Sequence, residues 1–167
     1  MTIEIRAAAV EESAILQRLA RASKAHWGYS ARYMKLWNFD RTITPEFVEA
    51  HPTFCAVSTS QIQGFYALTD EDGFKKLKHM WVHPQHLGAG VSEKLLHHAL
   101  SLVGRLGAPR MKVVAEPHAE GFYRRMGGRR IAKKYSLRLG QEFPILMFDA
   151  PRPAASPHSG FMNNRIG

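Results

Sequence analysis

Cysteine is almost absent. Cys55 is the only one in 167 residues, so no internal disulfide can form, and its place in the apolar run Phe54-Cys55-Ala56-Val57 suits a buried small hydrophobe better than a nucleophile. Long apolar runs are missing too: nothing approaches the ~20 residues that cross a bilayer as a helix. The opening MTIEIRAAAV carries charges and no long apolar core, so it is not expected to be a secretory signal. A soluble, cytoplasmic protein with no membrane partner is expected. Acids are also scarce, 14 against 23 Lys and Arg, for a net charge of +9. That balance favours polyanions, whether nucleic acid, a phosphorylated cofactor or an acidic substrate. The basic residues, among them Arg18, Lys76, Arg125 and Lys134, are nevertheless spread without a long tract, so nucleic acid is not the expected partner.

What is present is a patterned chain of one-domain size, 45% hydrophobic, with no internal repeat and no long linker. Ile3 to Ala7 alternates as a short strand does. Glu11 and Glu12 open a helix running to about Ser23, with Ile15, Leu16, Leu19 and Ala22 on its apolar face. Ser30 can cap a second helix from Ala31 to about Leu36, and Thr44-Pro45 a third over Glu46 to Ala50. Thr53 to Ser58, Ile62 to Thr69 and Phe74 to Val82 read as a meander of strands, with Asp70-Glu71-Asp72-Gly73 as a turn. Val91, Leu95, Leu96, Ala99 and Val103 recur at helical spacing up to Gly104. A strand at Met111 to Ala115, a helix from Ala119 to Met126, and strands at Arg130 to Tyr135 and Ile145 to Phe148 follow. Beyond Pro151 the chain is rich in Pro, Ala, Ser and Asn, as a mobile tail or interaction arm would be.

The organising stretch is Lys76 to Ser92, KLKHMWVHPQHLGAGVS. A strand ends at His83-Pro84, and Gln85 to Gly90 form a glycine-bearing loop that feeds a helix starting near Val91. Glycines let backbone approach a ligand closely, and the first helical N–H groups are unpaired, so a phosphate or pyrophosphate suits this geometry. It is not a P-loop, because Val91-Ser92 follows the last glycine where Lys-Ser/Thr would be needed. Nor is it a dinucleotide fingerprint, because Glu93 stands at the third glycine.

The pattern V-x-P-Q-x-x-G-x-G before an amphipathic helix resembles the acyl-CoA motif of the GNAT superfamily of N-acetyltransferases. Downstream, Glu116 to Gly127 resembles that family's second motif, Asn-x-x-Ala-x-x-Phe-Tyr-x-x-x-Gly, with Glu116 in place of the Asn. The resemblance covers residues 1–149, is specific over 76–128, and points to a bacterial branch of unassigned substrate. It implies a single α/β GNAT-fold domain over 1–149, with a mostly antiparallel mixed sheet of about six or seven strands and about four or five helices, followed by a tail over 150–167.

The resemblance further implies acetyl transfer from acetyl-CoA, the co-substrate, to an amine of a small molecule or protein. Met80, Trp81 and Val82 would hold the pantetheine arm. Gln85, His86, Leu87, Gly88, Ala89, Gly90, Val91 and Ser92 would hold the pyrophosphate, with Phe122, Tyr123 and Arg125 nearby, and Arg124 the rival to Arg125 for the adenosine phosphate. A backbone N–H near Trp81 or Val82 would polarise the thioester carbonyl, and the Tyr123 hydroxyl would protonate the departing sulfur. His26, Trp27 and Tyr29 are the acceptor-side candidates, against a reading as aromatic packing under a loop. The base is open: His79, Glu116, or a water chain with no single base. His79, His83 and His86 lie close together, but Pro84 breaks the strand and no Cys or carboxylate joins them, so no metal is expected. A non-catalytic CoA-binding module and a basic nucleic-acid-binding domain are the two rival readings. Many relatives pair, so a homodimer is compatible.

Overall fold

A computed structural model describes residues 2–152. Seven strands form one sheet in the order β1-β2-β3-β4-β5-β7-β6, in which β1 is Glu4–Ala7, β2 Thr53–Ser58, β3 Gln61–Glu71, β4 Phe74–Val82, β5 Arg110–Val114, β6 Arg129–Ser136 and β7 Gln141–Asp149. All neighbours are antiparallel except β4 and β5. The helices are α1 Ser13–His26, α2 Ala31–Lys35, α3 Phe39–Thr42, α4 Pro45–Ala50, α5 Val91–Arg105 and α6 Glu120–Arg125. The single α/β domain and its mixed sheet are as expected. The expected tail lies, beyond residue 152, outside the described residues.

The sheet separates two cores. On one face α5 buries Val91, Leu95, Leu96, Ala99 and Val103 against Tyr66, Leu68, Leu77, Met111 and Leu146, each large side chain stabilising the domain by ~1.5–3 kcal/mol. Gly64 permits this closeness: a Cβ there would meet the Trp81 carbonyl oxygen at 2.9 Å and the Val91 and Leu95 side chains at 3.1 Å. On the other face Leu16, Leu19 and Ala20 of α1 pack with Ile43, Val48, Cys55 and Phe65. Cys55 is fully buried there, and burial pushes its thiol up to about 12, far from a reactive thiolate.

Several elements differ from the expectations. The buried stripe of α1 is Ser13, Leu16, Leu19, Ala20, Ser23 and Lys24, while Ile15 is 42% exposed; the helix is rotated because its stripe continues into the polar Ser23 and Lys24. Asp70 and Glu71 belong to β3 rather than to a turn, held by Lys75 and Lys112. β7 runs well beyond 145–148 and contains Pro144. Proline is tolerated because β7 pairs with β5 only from Ile145 onward, and the Pro144 carbonyl still accepts the Ala115 N–H at 2.9 Å. α3 was not anticipated, being a single turn with no periodicity to show.

Candidate active site

β4 and β5 pair at only two positions, Lys75 with Met111 and Lys76 with Lys112, and then diverge. Beyond that point the β4 edge facing β5 carries backbone groups that no strand pairs. The gap is a cavity of about 600 Å³, with Met80, Trp81 and Val82 on one side and Val113 to Glu116 on the other.

A bulge decides which β4 side chains face which core. Ala67 pairs with His79 but Leu68 pairs with Leu77, leaving Lys78 as an extra residue. Leu77, Met80 and Val82 therefore belong to the α5 core, while Trp81 packs on the α1 core and His79 meets Phe47 and Phe65. Simple alternation would have put His79 beside Leu77.

At one end of the cavity lies the glycine loop. His83 Nδ1 accepts the Gln85 N–H at 3.2 Å and starts a short 3-10 turn over Pro84–His86. Gly88 and Gly90 then take φ of +80° and +81°, a region costly for any side-chain-bearing residue. Gly90 stands immediately before α5, so the free N–H groups of its first turn open into the loop. Leu87 and Ser92 line the cavity; Gln85, Gly88, Ala89 and Gly90 are exposed. The Val91 side chain is buried, leaving only its backbone available, and His86 Nε2 is buried without a partner. Phe122, Tyr123 and Arg125 line the same cavity. Arg124 is held by Glu120 at 3.3 Å, whereas Arg125 has no acidic partner among the described residues.

The other end is closed by side chains from α1 to α3. Lys24 is fully buried and ion-paired to Glu116 Oε1, and Tyr29 donates its hydroxyl to Glu116 Oε2 at 2.6 Å. The Lys24 ammonium lies 3.4 Å from the Trp37 ring centroid, with the rings of Tyr29, Tyr33 and Trp81 within 6 Å. Burial lowers the Lys24 ammonium and Glu116 opposes that shift. Burial, then Glu116, raises the Tyr29 hydroxyl. Tyr33 reaches Gln141 of β7 at 3.2 Å, closing the wall. Trp27 lines the cavity and stacks on His118 at 3.9 Å. His26 is exposed, edge-on to Trp27 and outside the lining. Tyr29 supports the wall through Glu116 rather than lining the cavity.

The titrating groups are now placed. His79 is 7% exposed, and its Nδ1 accepts the Trp81 indole N–H at 3.2 Å. In the neutral ring the proton then sits on Nε2, which is buried without a partner. Burial, followed by Lys78 and Lys76, pushes its pKa down to about 4. The ring is therefore a neutral donor at pH 7, with its basic lone pair already in use. Tyr123 is raised by burial and then by Glu116, which keeps the phenol protonated through the neutral range.

Sequence reasoning missed Lys24, Tyr33, Trp37, Lys78 and Lys134 as site residues. Lys24 had a signal: it falls four and eight residues after Ala20 and Leu16, on the buried stripe of α1. For the others only the fold brings them to the cavity. Among the described residues, no group of three or more His, Cys, Asp or Glu could hold a metal, and no helix is long and apolar enough to cross a membrane.

A family model described as an acetyltransferase (GNAT) domain matches residues 49–127, which include the glycine loop, both edges of the gap and α6. No curated protein matches the chain in sequence. Among solved structures, the PaiA N-acetyltransferase of Thermoplasma acidophilum, in complex with coenzyme A, superposes with a TM-score of 0.76 at 19% identity, over 89% of this chain and 99% of that one. YncA of Salmonella typhimurium, a putative acetyltransferase with acetyl-CoA, gives 0.71 at 18% identity over 95% and 99%. The ribosomal-protein-S18-alanine N-acetyltransferase of Escherichia coli gives 0.72 at 11% identity over 93% and 98%. Divergent strands, a glycine loop ahead of α5 and the matching domain model agree: over residues 49–127 the chain is similar to GNAT acetyltransferase domains, and it shares the fold of these structures.

Proposed function

We propose that acetyl-CoA enters the gap from the Gly88–Gly90 end, that an amine enters from the α1–α3 end, and that the acetyl group passes between them. The observation that carries this reading is the two-residue pairing of β4 with β5, which leaves a strand edge able to bind an extended amide-bearing chain as an added strand does. Met80, Trp81 and Val82 offer that edge to pantetheine. The N–H groups from Leu87 to Val91 and the Ser92 hydroxyl suit a pyrophosphate, with Gln85 beside the loop, and Arg125 is the free guanidinium for a further phosphate. His86 contributes through the shape of the loop, since its ring is turned inward.

Acetyl-CoA supplies a thioester carbonyl. A C–N bond forms to the amine, the C–S bond breaks, the amine gives up one proton and the thiolate takes one. Tyr123, a protonated phenol on the cavity wall, is suited to give the thiolate its proton. Neither proposed base fits as drawn. His79 is a donor, and both Glu116 oxygens already serve Lys24 and Tyr29. The surroundings that push His79 down also disfavour an ammonium, so the acceptor loses its proton to water without a dedicated base. Glu116 is a positioning residue that ties α1 and the connection after it to the end of β5. Acetyl-CoA is too polar to cross a membrane unaided, which favours a cytoplasmic site for the activity.

Thermal shift with CoA, acetyl-CoA and ADP tests this. A rise with both acyl carriers, clearly above that with ADP, is expected from binding to the native state. No rise with CoA would sink the cofactor assignment and favour a polyanion-binding role for the +9 chain.

A further inference from the structure

The α1 core draws on β2, β3 and β4 and on no residue of β5, β6 or β7. On the face of those last strands opposite α5, Phe143 and Met147 of β7 are buried, while β6 is exposed along nearly its whole length. Alternation decides what that face carries. Leu77, Met111 and Val113 point into the α5 core, so Lys76 and Lys112 point the other way, and the β4 bulge adds Lys78. Lys134 of β6 joins them. Lys76 is half-buried and lowered first by burial and then by the nearby charge of Lys78; Glu71 opposes that shift, and Lys112 and Lys134 add to it. Two of the four, Lys78 and Lys134, line the cavity.

The acids around this cluster are spoken for. Glu71 holds Lys112 at 2.5 Å, Asp70 holds Lys75, Glu142 holds Lys133 at 3.1 Å, and Glu116 holds Lys24 and Tyr29. Lys78 and Lys134 make no ion pair among the described residues. Two cations without an ion pair at a cavity wall, Lys78 and Lys134, attract an anion. A polycationic acceptor would meet the opposite: repulsion from the lysines and no free carboxylate among the described lining residues.

We propose that the acceptor is an amine that also carries a phosphate or carboxylate, seated on Lys78 and Lys134 while its amino group faces the gap between β4 and β5. This rests on the acetyltransferase reading and adds the acceptor class. The cavity end formed by Trp27, Trp37 and Asn38 suits a small molecule or the end of a chain. The transfer balances as above: one amide formed for each CoA thiol released.

Four amines of similar length test it: phosphoethanolamine, β-alanine, 2-methoxyethylamine and 1,3-diaminopropane. Each is assayed for thiol release with acetyl-CoA, and for its thermal shift on CoA-saturated protein. The two anionic amines should lead the neutral one by roughly tenfold in kcat/KM or in binding, with the diamine last, as two unpaired cations at a half-exposed site allow. Lys134→Glu and Lys78→Glu should abolish that preference and leave CoA affinity unchanged, while Lys134→Arg should keep it. Lys134→Glu alters an exposed edge position, so its folding is not at stake. A preference for the diamine, equal response to all four amines in both readouts, or a preference surviving charge reversal would overturn the anionic acceptor. If the CoA shift is present in any of these cases, the acetyltransferase reading stands; its absence would overturn that reading instead.

Discussion

At the Gly88–Gly90 end of the cavity the groups on offer are backbone amides, held by positive-φ glycines and one helix start within eight consecutive residues, 85–92. At the α1–α3 end they are side chains from distant segments: Lys24 and Tyr29 meet Glu116 across more than eighty positions of sequence. The first end can be written as a short motif because its geometry is local. The second can vary residue by residue as long as each new set satisfies its own buried charges. This fits an enzyme class in which one co-substrate is common and the acceptor is not.

The contrast can be broken most sharply at the buried pair. Replacing Glu116 by Gln or Lys24 by Met should each cost about 3–5 kcal/mol, because one partner leaves the other buried and uncompensated. The double variant Lys24→Met/Glu116→Gln should recover most of that loss in urea unfolding. Additive losses would show that the two groups do not act as a unit.

His79 sharpens the comparison through pH. Its folded pKa, about 4, lies below the ordinary 6.5, so between these values the unfolded chain takes up a proton that the folded ring refuses. Stability from this group is full above about pH 6.5 and lost as pH falls through 4, by up to about 3 kcal/mol. His79→Gln should flatten that acid limb and leave no activity limb missing near neutrality. A large loss of kcat at pH 7 with normal folding would restore His79 as the base.

Tyr123→Phe should lower kcat by about 10²-fold with little change in KM for acetyl-CoA, if the phenol gives the thiolate its proton. An unchanged kcat would leave Tyr123 as a packing residue against Phe148. The smallest effect separates two neighbours. Arg125→Ala should weaken CoA by about three- to tenfold, as loss of one exposed charge contact does, whereas Arg124→Ala should not. Equal effects of the two would remove the distinction drawn from the Glu120 ion pair.

Much of the glycine-loop end was legible in the chain. Gly88 and Gly90, the stripe Val91-Leu95-Leu96-Ala99-Val103 and the Phe122-Tyr123 segment carry their meaning in local spacing, which backbone conformation and helical period translate directly. The lone Cys55 was legible as a hydrophobe for the same reason. The acceptor end was not. His26, Trp27 and Tyr29 stand together in sequence, yet one is exposed, one lines the cavity and one props a carboxylate. Glu116 looked like a departure from the motif, and its reason is Lys24, which no local pattern connects to it.

The sequence by itself determined the order of the strands and longer helices, the glycine turn ahead of α5 and the excess of positive charge, since propensity, periodicity and charge are properties of neighbours along the chain. The tertiary structure alone decided where β4 and β5 part, which face His79 takes after the Lys78 bulge, and which lysines gather without acids. Those depend on strand register and on the sharing of a few carboxylates among many cations, and both are settled only when distant segments pack together.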